Sequence, residues 1–71
     1  MYKKYVFLEK ETNKVLMHFK FLLEYEDGSI DERSIALSSA FESNPTFVEV
    51  ELDNPATLGW YLENGEYIQY D

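Results

Sequence analysis

The chain has no cysteine, so no disulfide framework or thiolate metal site supports its fold, and Cys-His chemistry is excluded. It has two prolines and three glycines; the glycines are spread at 28, 59 and 65, which leaves no glycine-rich loop to cradle a phosphate. It has one histidine, His18, and no G-x-S-x-G elbow, so no nucleophile–base pair stands out. No apolar run approaches the ~20 residues of a membrane span. The run Tyr5 to Leu8 behind Lys3 and Lys4 ends at Glu9, too short for a signal core. The lack of a signal and of cysteine fits a cytoplasmic location.

Basic side chains are scarce after the first segment. Residues 1 to 20 carry five lysines against Glu9 and Glu11, whereas residues 21 to 71 carry twelve carboxylates against Arg33 alone. The formal net charge is −8. Phosphate binding needs clustered Lys and Arg, so this balance argues against nucleic acid as a direct ligand. It allows the reverse, a carboxylate surface shown to a basic protein, although acidic surfaces also simply keep small domains dispersed.

Aromatic residues are abundant: five Phe, six Tyr and one Trp in 71 residues. That length makes one domain, residues 1 to 71, near the lower limit of what folds alone, and large side chains supply the buried area. Residues 3 to 10 read as a strand and 11 to 14 as a turn. In 15 to 26, Val15, Met17, Phe19, Phe21, Leu23 and Tyr25 hold every odd position, the pattern of a long strand with one apolar face. Leu16 and Leu22 on the other face suggest a central strand or a contact with a second chain. Asp27-Gly28 signals a hairpin, with a returning strand over 29 to 37 whose apolar parity switches midway. Ser39 and Glu42 have the capping-box form, enough for one helical turn near 39–43 before Pro45. A strand follows over 46 to 52, then an Asn-Pro turn. Asn64-Gly65 predicts a type I′ hairpin pairing Leu62 with Tyr67, Tyr61 with Ile68 and Trp60 with Gln69, and setting Glu63 opposite Glu66. The expected fold is all-β, a small antiparallel barrel or compact sandwich of about six strands.

The acids of residues 24 to 32 lack the spacing of a calcium loop, no other metal or cofactor signature is present, and so small a domain rarely encloses a catalytic cleft. The expectation is a non-enzymatic protein. Glu49, Glu51 and Asp53 alternate along a strand and would project on one face ~6.8 Å apart, near the spacing of phosphates, so a row of carboxylates there would imitate a nucleic-acid backbone.

Residues 48 to 71, "VEVEL…NP…LGWYLENGEYIQYD", are similar to the C-termini of short phage-encoded proteins, with an acidic strand, a Pro turn and an aromatic Asn-Gly hairpin. The resemblance implies a phage-type inhibitor of a basic, nucleic-acid-binding host protein, or a virion or tail-assembly subunit acting through homo-oligomerisation. Together with the charge it points to a protein–protein interaction module with Glu49, Glu51, Asp53, Glu63 and Glu66 as its charges and Trp60, Tyr61 and Tyr67 as its anchors. No cofactor, membrane or nucleic acid is expected.

Overall fold

The computed structural model describes residues 1–70. The chain runs β1 (Tyr2–Leu8), β2 (Val15–Leu22), α1 (Glu32–Glu42), β3 (Phe47–Val50), β4 (Trp60–Glu63) and β5 (Glu66–Gln69). Strands predominate, as the sequence predicts, but they form two antiparallel sheets, ordered β2-β1-β3 and β4-β5, rather than a closed barrel. Among the described residues there are five strands instead of about six.

The missing strand is the helix. Residues 29 to 37 were expected to return along β2, and the Asp-Gly turn does form: Gly28 has φ +87° and Tyr25 N–H donates to Ser29 O at 2.8 Å. The return stops at one bridge, Glu24 to Ile30. Asp31 then takes extended angles and its carboxylate accepts from Ser34 N at 3.0 Å, a helix N-cap. Glu32 adds a carboxylate to the first turn, where the helix dipole favours it. Ser39 and Glu42 are therefore not a capping box but the last turn of an eleven-residue helix. The switch of apolar parity within 29 to 37 marks an early end of the returning strand, where the helix begins.

β1 lies at the centre because both neighbours pair with it. Lys4 faces Val50 and Lys20; Tyr5 faces Glu49 and Phe19; Phe7 faces Phe47 and Met17. Side chains alternate across β1, so the sheet has two unlike faces. On the helix side, Tyr5, Phe7, Phe19, Phe21 and Phe47 gather around Phe41. Its ring lies 4.0 Å from Phe47, 5.0 Å from Phe19, 5.3 Å from Phe21 and 5.7 Å from Tyr5. On the other side Val6, Leu8, Val15 and Ala56 form a buried aliphatic core. The β4-β5 hairpin closes it with Trp60, Leu62 and Tyr67, and β3 adds Val48 and Val50. The order of layers is helix, sheet, hairpin.

One irregularity makes this possible. The pairing shifts between Phe7 and Leu8, with Phe7 opposite Met17 but Leu8 opposite Val15. The extra residue, Leu16, turns Val15 to the hairpin side while Met17 stays on the helix side. The strict odd-position alternation is thus broken at its first member. The hairpin itself has the expected register, with Asn64 at φ 51° and Gly65 at φ 81°, and sets Glu63 beside Glu66. It is anchored to the sheet through Gly59 N–H to Val15 O and Leu62 N–H to Asn13 O, both 2.9 Å.

Two buried phenols contrast. Tyr5 is fully buried, and its hydroxyl meets Ser38 Oγ at 2.6 Å and donates to Glu42 Oε1 at 2.8 Å. The Tyr67 hydroxyl is buried with no hydrogen-bond partner among the described residues, and burial pushes its pKa up. The same substitution should then act with opposite signs. Tyr67→Phe relieves an unsatisfied group and is expected to stabilise by about 1 kcal/mol, whereas Tyr5→Phe is expected to destabilise by roughly 1–2 kcal/mol. Urea midpoints of the two variants against wild type read both signs in one experiment.

Candidate functional site

β3 stops pairing at Val50, opposite Lys4. Beyond it the chain turns away, with Asn54 N–H donating to Glu51 O at 3.0 Å, so Tyr2 and Lys3 extend past the end of β3. The result is a groove of ≈ 430 Å³ lined by Tyr2, Lys3, Glu49, Val50, Glu51 and Leu52. A second depression of ≈ 580 Å³ adjoins it across Tyr2, lined also by Met1, Leu22, Glu24, Tyr25, Glu26 and Asp27. Tyr2 and Tyr25 are each 45% exposed and Leu52 49%. Apolar and aromatic surface at this end is therefore flanked by the carboxylates of Glu24, Glu26, Asp27, Glu49 and Glu51.

The cations close by are already engaged. Lys3 Nζ pairs with Glu42 Oε1 at 2.9 Å, the single salt bridge among the described residues. Lys4 is buried on the hairpin side, with Nζ 2.5 Å from Asn54 O. Lys20 Nζ lies 4.6 Å over the Tyr2 ring. The Ser29 hydroxyl and backbone N–H bond Asp27 and hold its carboxyl below the usual value, so it stays ionised. Among the described residues Glu24, Glu26, Glu49 and Glu51 form no salt bridge, and the Met1 ammonium at this end donates to Glu24 O at 2.6 Å.

Lys3 and Tyr5 together fix Glu42 beside the groove. The hydrogen bond from Lys3, then that from Tyr5, lowers the Glu42 pKa from its ordinary 4.5. A carboxyl depressed in the folded state contributes stability above its unfolded pKa and loses it as pH falls through the folded value. Stability should therefore decline as pH drops below about 4.5, and Glu42→Gln should show a shallower acid decline. Urea midpoints at pH 7 and pH 3 compare the two proteins; equal slopes would mean that the Lys3–Glu42–Tyr5 link does not tie α1 to β1.

The eight residues singled out by the sequence do not form one surface. Glu49 and Glu51 line the groove. Asp53 is exposed in the following turn, and because the strand ends at Val50 the three acids do not continue as a regular row. Trp60 and Tyr67 turn inward onto the aliphatic core. Tyr61 lies on the opposite face of the hairpin, its ring 5.4 Å from that of Tyr70. Glu63 and Glu66 are exposed at the hairpin tip, beyond Asn13 and so at the end of the sheet away from Tyr2. The groove instead recruits Tyr2, Tyr25, Leu52 and the acids of 24–27. Those acids were legible as a cluster, but their meeting with Tyr2 depends on β1–β2 pairing.

Among the described residues no group of three His, Cys, Asp or Glu could hold a metal ion, and no helix is long and apolar enough to cross a membrane. Comparison with family models, curated proteins and solved structures gives no match.

Proposed function

We propose that the chain is a non-catalytic protein–protein interaction module whose Tyr2 end receives a basic partner protein. The observation that carries this reading is the grouping of Glu24, Glu26, Glu49 and Glu51, none in a salt bridge among the described residues, around exposed Tyr2, Tyr25 and Leu52. Carboxylates of one sign steer a basic protein to the surface, and tyrosine faces accept Lys or Arg by cation–π contact while burying apolar area. Lys20 over Tyr2 already shows a cation on one of these rings. In the form suggested by the likeness to phage-encoded proteins, the partner is a nucleic-acid-binding host protein and the chain is its inhibitor.

An arginine-rich peptide is a direct probe. Its affinity should fall about fivefold at low salt in a Glu49→Gln, Glu51→Gln variant, with a weaker salt dependence. A Glu63→Gln, Glu66→Gln variant removes the same charge from the other end and should leave affinity nearly unchanged. Equal losses in the two variants would mean that only net charge matters and would remove the case for a site at Tyr2.

A further inference from the structure

The two outer edges of the three-stranded sheet are built differently. β3 is four residues long, follows Pro45, and carries Glu49 on its exposed edge strand. Short length, a nearby proline and charge are the usual devices that stop an edge from pairing. β2 is neither short nor near a proline, and its one lysine, Lys20, lies over the Tyr2 ring. The strand is eight residues long, without proline, and apolar on both faces: Leu16 and Leu22 on one, Met17, Phe19 and Phe21 on the other.

Its backbone is open on the outer side. Leu23 N–H donates to Met1 O, which sets the hydrogen-bonding parity of the β1–β2 ladder. Phe21, Phe19 and Met17 thus exchange bonds with Lys3, Tyr5 and Phe7, while the N–H and C=O groups of His18, Lys20 and Leu22 point outward. The hairpin covers this edge only at its start, through the Asn13, Lys14 and Val15 contacts with β4 and Gly59. Met17 remains 54% exposed.

The sequence of this edge is close to its own complement when reversed. We propose that β2 pairs antiparallel with β2 of a second copy about a two-fold axis at Phe19, joining the two three-stranded sheets into one. In that register Leu16 meets Leu22 of the second copy, Met17 meets Phe21, and Phe19 meets its counterpart. His18 sits opposite Lys20. The paired stretch runs from Leu16 to Leu22, because the hairpin covers the edge at Lys14 and Val15. Shifting the axis to Lys20 sets two ammonium groups side by side, and shifting it to His18 sets Leu16 against Lys20. Only the Phe19 axis pairs apolar with apolar at every position of Leu16, Met17, Phe21 and Leu22. This contact uses a surface separate from Glu49 and Glu51 and does not depend on a basic partner.

Light scattering on a sizing column tests it with the protein alone. Wild type is expected to move from 8.4 kDa toward twice that mass as concentration rises. His18→Glu places a carboxylate opposite Lys20 twice per dimer and should tighten the dimer constant about tenfold; His18→Lys should loosen it by about the same factor. His18 is exposed, so both variants keep the monomer fold, checked by circular dichroism. Amide exchange adds a backbone reading: the His18, Lys20 and Leu22 amides should gain protection with concentration. A folded wild-type monomer up to roughly millimolar concentration overturns the proposal. So does a dimer that neither variant moves, or one that His18→Glu loosens, because that response belongs to a register that sets position 18 against Glu24 or against itself.

Discussion

Phe41→Ala is expected to destabilise the protein by about 3 kcal/mol, the lower part of the range for removing a packed aromatic side chain. The reason is geometric. Four rings from three different strands, Tyr5, Phe19, Phe21 and Phe47, come within 6 Å of the Phe41 ring. The rest of the inward helix face is poor in apolar area: Ser38 is its buried residue, and Ile35 and Leu37 are 38% and 49% exposed. The helix is therefore held by one ring, the Tyr5–Ser38–Glu42 bonds and the Lys3–Glu42 pair. A helix of eleven residues has little stability of its own in water, so loss of its anchor should release it. Urea unfolding followed by circular dichroism reads the change as a lower midpoint. Leu37→Ala, on the exposed side, should stay within about 0.5 kcal/mol of wild type. A loss below about 1 kcal/mol for Phe41→Ala would mean that the polar bonds, not the ring, hold α1 to the sheet.

The same poverty of apolar residues explains why the helix was hidden in the sequence. "ERSIALSSAFE" places serines on its inward face, so no 3.6-residue hydrophobic stripe announces it. The decisive signal was Asp31 with Ser34 three residues on, a cap that is easily masked by the strong Asp-Gly turn just before it. By contrast the hairpin register was fully legible, because Asn64-Gly65 dictates a two-residue turn and the turn dictates every pair behind it. β2 was legible as a strand but not in its facing, since the bulge at Leu16 depends on its pairing with Leu8.

The candidate site was legible only in its parts. The acids were visible as clusters at 24–32 and 49–53, and the excess of aromatics was counted. What brings Tyr2 between the two clusters is the central place of β1, with Leu22 opposite Tyr2 on one side and the end of β3 on the other. That arrangement is long-range in sequence. Trp60 and Tyr67 complete the core, so the candidate anchors of the proposed interface become Tyr2 and Tyr25, which are exposed.

Trp60→Ala supplies the complementary test, on the opposite face of the sheet. Trp60 packs with Leu62 and Tyr67 over Val6, Leu8, Val15 and Ala56, and its removal is expected to cost about 3 kcal/mol. A hairpin of two four-residue strands is not stable by itself, so its packing on the sheet and the Gly59 and Leu62 backbone bonds must hold it. Truncating Trp60 exposes the aliphatic core and also loosens the bridge at Lys14 and Tyr61. The two substitutions touch no common side chain, so their effects should add. Each alone approaches the whole ~3–5 kcal/mol that a core of this size supplies, and the double variant should be unfolded in water. If β2 pairs with a second copy, the midpoints of wild type and of both single variants should also rise with protein concentration, because only the folded chain presents the edge. A double variant that still unfolds cooperatively would show that the chain holds more than this reserve of stability.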